Sequence, residues 1–185
     1  MGIRTLSAAV FLDRDGVINR ITVAQGVPHP PQTLKEFSFL PRVVTACRSL
    51  HDAGLKLAVV TNQPDVARGA QSRRRVAAMN ARVASRLPVQ GVLTCYHDDD
   101  DACSCRKPRP GMLLKAAARW RLDLKRSFMV GDRWSDIAAG RAAGCRSILI
   151  KKSYSQAERC RPDWVAGDLA EAVKIILRTI KYERP

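Results

Sequence analysis

Ala8-Ala9-Val10-Phe11-Leu12-Asp13-Arg14-Asp15-Gly16-Val17-Ile18-Asn19 is the stretch whose reading decides the fold. Its apolar run stops abruptly at a pair of acids and a glycine. A run that short, closed by a turn signal, predicts a strand at 8–12 buried on both faces, as strands of parallel sheets are. Its carboxyl end carries Asp13 and Asp15, and in open α/β sheets that edge is where ligands bind. Two acids so close repel one another unless a cation lies between them. Mg²⁺ is the expected cation, because it takes oxygen donors, keeps several waters and leaves room for a phosphoryl group that brings oxygens of its own.

Working outward, the same alternation recurs along the chain. Short runs rich in β-branched residues predict strands at 55–61, 91–96, 127–130 and 147–150, with a short sixth at 164–165. Helical periodicity falls between them, at 42–53, 71–87, 111–120, 135–143 and 169–180, with Gly54 and Gly144 as stops. Strands alternating with helices predict an α/β fold: a single Rossmann-like domain over 1–185, its mostly parallel sheet flanked by helices. The segment Val27-Pro28-His29-Pro30-Pro31 reads as an irregular loop after the first strand, bordering the site.

Other strand ends bring matching chemistry to the same edge. Val59-Val60-Thr61-Asn62-Gln63 offers a hydroxyl, amides and backbone N–H groups for phosphoryl oxygens. Met129-Val130-Gly131-Asp132-Arg133-Trp134-Ser135-Asp136 adds two carboxylates four apart, on one side of a helix start. Asp132 is the expected third contributor to the metal shell, and Asp136 supports it. Arg106-Lys107-Pro108 supplies cations that neutralise charge on an attacking carboxylate and a transferring phosphoryl group. Each piece alone is weak, since Asp-x-Asp is common in turns and Gly-Asp often caps a helix. At successive strand ends, with a lysine between, they make one site.

In these motifs, Asp13-x-Asp15, Thr61, Lys107 and Gly131-Asp132-x-x-x-Asp136, the chain resembles the haloacid dehalogenase superfamily of phosphatases over most of its length. The resemblance implies that Asp13 is the nucleophile and becomes an aspartyl phosphate. It makes Asp15 the group that protonates the leaving oxygen and then deprotonates water. Mg²⁺ would be held by Asp13, the Asp15 carbonyl and Asp132, while Thr61, Asn62, Gln63, Arg106 and Lys107 bind the phosphate or substrate. The wider motif set is similar to the branch acting on small phosphorylated sugars, with the histidinol-phosphate branch nearby. That branch usually has Ser-Gly-Ile after Thr-Asn-Gln, whereas this chain has Pro64-Asp65-Val66 before the matching Arg68-Gly69. Arg68 and Arg106 are expected farther out, toward the unreacting end of the substrate.

Cys95-Tyr96-His97, a short acidic loop and Cys103-Ser104-Cys105 form a Cys₃His set within 95–105. That spacing predicts a structural Zn²⁺ with every position filled by protein and no place for an activated water. Because Arg106 and Lys107 follow Cys105 directly, clamping the loop would fix where those cations point. Cys47, Cys145 and Cys160 are read as ordinary buried thiols.

The formal charge of +15 over 185 residues, pI near 10.3, predicts attraction to anions without saying which. A basic zinc module that binds nucleic acid is the rival from another class, motivated by Arg73-Arg74-Arg75. It leaves the carboxylates unexplained and has no interleaved aromatic residues for base stacking. A phosphatase acting on nucleic-acid 3′ ends keeps both observations. The expected partner is nonetheless a small phosphorylated sugar, met by a monomer. The apolar run before Asp13 is too short and wrongly flanked for a signal peptide, and no 18-residue apolar stretch exists, so a cytoplasmic location and no membrane are expected.

Overall fold

In the computed structural model, residues 6–182 are described. β1 (Ala9–Leu12) is buried along its whole length. β2 (Thr22–Ala24) and β3 (Val27–His29) then pair as an exposed antiparallel ribbon. This corrects the expected irregular loop. Gln25 and Gly26 between the strands have φ of 50° and 76°, which is the left-handed pair that a two-residue hairpin turn demands. Strands of three residues, one holding a proline, carry too little pattern to be read from sequence.

α1 (Val43–Asp52), β4 (Lys56–Asn62), α2 (Arg73–Arg86), β5 (Val89–Cys95), α3 (Gly111–Trp120), β6 (Phe128–Gly131), α4 (Trp134–Ala142), β7 (Arg146–Ile150), β8 (Trp164–Ala166) and α5 (Leu169–Tyr182) follow. Local signals set several of their ends. The Ser72 hydroxyl accepts from the Arg75 N–H and starts α2, and Gly54 and Gly144, at φ of 87° and 84°, let the chain leave α1 and α4.

Six strands make one parallel sheet in the order β5-β4-β1-β6-β7-β8. β1 lies at its centre, paired with β4 on one side and β6 on the other. The period of two along β1 divides the core. Val10 and Leu12 pack with Val43, Leu50, Met79 and Ile176 of α1, α2 and α5. Ala9 and Phe11 pack with Leu113 and Ala139 of α3 and α4. Successive strands run outward to β5, return across β1 and run outward again to β8. The reversal falls beside β1, so the crevice beyond the carboxyl ends of β4, β1 and β6 is where this architecture binds ligands.

Candidate active site

At the end of β1 the Asp13 N–H still donates to the Val130 carbonyl at 3.0 Å, so β6 holds the first acid in place. Oxygens of Asp13, Asp132 and Asp136 all lie within 4.8 Å of one another, and all three residues are buried. Lys107 is the only lysine or arginine ion-paired to that trio among the described residues. Its Nζ donates to Asp13 at 2.6 Å and to the Val60 carbonyl at 2.9 Å, and contacts Asp136 at 2.6 Å. Asp136 thus belongs to the floor itself, more central than the supporting place expected of it.

Burial pushes the Asp13 carboxyl up to about 6, against the pull of Lys107 and with the repulsion of Asp136 and Asp15. Asp132 is driven well above the usual carboxylate range, first by burial and then by Asp13 and Asp136. Its Oδ2 accepts from the Tyr154 hydroxyl at 2.7 Å, while its Oδ1 is buried with no partner among the described residues. Gly16 turns the chain at φ 88°, and a Cβ there would come within 2.0 Å of Asp132 Oδ2. The acid and the loop therefore approach as closely as only glycine permits.

Asp15 lines the cavity beside this trio and is held by donors of its own. Arg14, Asn19 and Gln63 donate to it at 2.8–3.2 Å. Gln63 also donates to the Thr61 hydroxyl at 2.9 Å, coupling the acid to the end of β4. Asn62 makes a reciprocal pair with the Lys107 backbone at 3.0 and 3.1 Å. Asn62 and Gln63, expected to hold phosphoryl oxygens, are occupied here in fixing the lysine loop and Asp15.

Above the floor opens a cavity of about 920 Å³. Val27 to Pro30 of the hairpin form one wall, and Trp134 and Tyr154 belong to another. Arg68 and Arg106 line it too, but neither guanidinium is unengaged. Arg68 donates to Asp98 at 2.5 and 2.6 Å, and Arg106 to Asp99 at 2.8 and 3.2 Å. Hydrogen bonds from Arg68 and from Arg106 hold Asp98 and Asp99, respectively, below the usual carboxylate range. Through Asp98 and Arg68 the acidic loop 98–101 ties the cysteine loop to the segment after β4. The cysteine loop itself brings Cys95, Cys103 and Cys105 Sγ and His97 Nδ1 to separations of 3.3–3.7 Å.

The HAD-hydrolase-like family profile matches residues 104–172. A D-glycero-beta-D-manno-heptose-1,7-bisphosphate 7-phosphatase of Yersinia pestis is 35% identical over 183 residues, covering 91% of this chain and 94% of that protein. The enzyme of the same name from Escherichia coli K12 is 35% identical over 188 residues, covering 94% and 95%. Among solved structures, the D,D-heptose 1,7-bisphosphate phosphatase of B. bronchiseptica, crystallised with magnesium and phosphate, superposes with a TM-score of 0.79. It is 30% identical and covers 93% of this chain and 99% of its own.

Proposed function

From the premise that this chain belongs to the haloacid dehalogenase-like hydrolases and is a phosphatase, we propose that it removes the 7-phosphate of D-glycero-D-manno-heptose 1,7-bisphosphate. The observation that carries the reading is the cavity: acids and Lys107 at its floor, and on its lining Arg68 and Arg106, which the second phosphate would draw from Asp98 and Asp99. A doubly phosphorylated sugar needs one cationic region for the reacting group and another for the end that stays. The names of the relatives support the same substrate.

In this reading Asp13 attacks phosphorus and takes the phosphoryl group as an aspartyl phosphate, and the departing sugar oxygen takes its proton from Asp15. Asp15 then accepts a proton from the water that cleaves this acyl phosphate and frees the Asp13 carboxylate and inorganic phosphate. Lys107, held against Asp13, offsets charge at the attacking oxygen, and strand-end N–H groups would receive the phosphoryl oxygens, with the buried Thr61 hydroxyl behind them accepting from Gln63. The residues fit Mg²⁺: of three clustered buried carboxylates only Asp13 and Asp136 are paired with Lys107, and a buried Asp132 oxygen has no partner among the described residues. Asp13, the Asp15 carbonyl and Asp132 would hold the ion, which when bound neutralises the phosphoryl oxygens. The Cys₃His set fits Zn²⁺, since tetrahedral thiolate ligands lie about 3.8 Å apart. We read the whole chain as one cytoplasmic, monomeric domain; among the described residues no helix is long and apolar enough to cross a membrane.

The test of the substrate is kcat/KM for the heptose 1,7-bisphosphate, in both anomers, against histidinol phosphate and a 3′-phosphorylated oligonucleotide, at low and moderate salt. The bisphosphate is expected to lead by at least about tenfold, and charge reversal at Arg106 to erase that lead. An oligonucleotide preference with a steep salt dependence would replace the sugar by nucleic acid.

Zinc is tested separately. Purified protein should carry one tightly held Zn²⁺ per chain, and Cys103→Ser should lose it. Activity should then fall through misplacement of Lys107, because the cysteine loop leads directly into that lysine. Active protein prepared without chelators and found free of zinc would remove the clamp.

A further inference from the structure

Arg14, read in sequence as the spacer between two acids, is the largest fully buried side chain among the described residues. A guanidinium is tolerated in a protein interior where acceptors take up its hydrogens; Nε is buried without a partner among the described residues, so the two terminal nitrogens make its hydrogen bonds. Here Nη2 donates to both oxygens of Asp15, at 2.9 and 3.2 Å, and Nη1 donates to Asn80 Oδ1 at 2.8 Å. Asn80 stands on α2, between Met79 and the rest of a face whose Val76 and Val83 are anchored in the core. Its own amide donates on to the Thr94 hydroxyl of β5 at 2.9 Å. None of Arg14, Asn80 and Thr94 lines the cavity, so none is placed to touch substrate.

Geometry gives this chain a function. A carboxylate offers about four lone-pair sites, and the Asp15 oxygens receive contacts from Arg14 twice, Asn19 and Gln63. Asn19 belongs to the same turn as Asp15, and Gln63 to the end of β4. Gln63 ties the acid to the sheet, through Thr61 and the Cys95 carbonyl, and among the described residues Arg14 is the donor that ties it to a helix, through Asn80 of α2. We propose that Asn80, held by Thr94 and acting through Arg14, is a positioning residue for Asp15, so that α2 and β5 set the aim of a carboxylate they never reach. The proposal rests on the reading of Asp15 as the proton-transfer group.

The experiment is a steady-state comparison of Asn80→Leu, Asn80→Asp and Asp15→Asn, with folding checked by thermal unfolding. Asn80→Leu removes the acceptor, and kcat should fall on the order of 10- to 100-fold while KM moves less than about twofold. Asn80→Asp keeps an acceptor in place, and the Thr94 hydroxyl can then donate to it, so kcat should stay within about threefold of wild type. In the Asp15→Asn background, Asn80→Leu should cost nothing further, since its effect passes through the missing carboxylate. Should Asn80→Leu fail to fold, Thr94→Val takes its place, with a severalfold loss of kcat at constant KM. Wild-type kcat in whichever of these two variants is measured, a rise in KM alone, equal losses in the Leu and Asp variants, or additive losses with Asp15→Asn would each overturn the proposal. Full activity of Asp15→Asn itself would instead overturn the assignment of Asp15.

Discussion

Asp13→Asn should lower phosphate release by at least about 10⁴-fold, because an amide cannot attack phosphorus and the proposed route through an aspartyl phosphate closes. The variant should fold as well as the wild type. Burial pushes the Asp13 carboxyl up to about 6, so the folded protein already favours an uncharged group there. An isosteric amide supplies one, removes repulsion toward Asp132 and Asp136, and leaves Lys107 its Asp136 partner at 2.6 Å. Thermal unfolding without added metal is therefore expected at an unchanged or higher temperature. Acid-quenched protein caught during turnover should carry phosphate in the wild type and none in the variant. A purified Asp13→Asn enzyme within tenfold of wild-type turnover would remove covalent catalysis by Asp13.

The parts of this site that could be read from sequence are those in which one short segment carries its own signal. Asp13 and Asp15 were legible because an apolar run stops at them, and α3 because Pro110 and Gly111 open a periodic stretch. The cysteine loop was legible because its three cysteines and one histidine lie within 95–105. What was not legible depends on pairs brought together by the fold. Arg68 and Asp98 are thirty residues apart, and Arg14 and Asn80 sixty-six. No periodicity marks a residue as the partner of another so far away. The hairpin had one usable sign, Gly26 at its turn, but strands of three exposed residues give no alternation to accompany it. Asp136 was legible as a carboxylate at the site's edge, but its pairing with Lys107 was not, for a similar reason. Spacing along α4 gives its face, while its contact with Lys107 comes from a loop that arrives from the other side of the sequence.

Lys107→Met keeps the apolar stem of the lysine and removes its charge, and it should damage both chemistry and stability. The ammonium is almost wholly buried, within 2.6 Å of two carboxylates that are themselves almost wholly buried. Those partners drive its own pKa above the lysine range although burial works against it. Removing one side of such a pair costs about 3–5 kcal/mol when the remaining charge stays uncompensated. Here the penalty depends on pH in a definite direction. Lys107 holds Asp13 down against burial, so without it the Asp13 carboxyl rises beyond its present value of about 6. A carboxyl whose folded pKa exceeds its unfolded one stabilises the fold most when protonated, and that stability is lost as pH rises through the folded value. The metal-free variant should therefore approach wild-type stability below about pH 4 and fall furthest behind it above neutrality. Denaturant titrations across that range measure the difference. Turnover should fall on the order of 10²- to 10³-fold, the cost of removing one charge-stabilising donor. The acid limb of kcat/KM should move to higher pH, because Asp13, the proposed nucleophile, now keeps its proton longer. A variant whose stability deficit is the same at every pH, or whose acid limb stays where it was, would mean that Lys107 does not set the charge of Asp13.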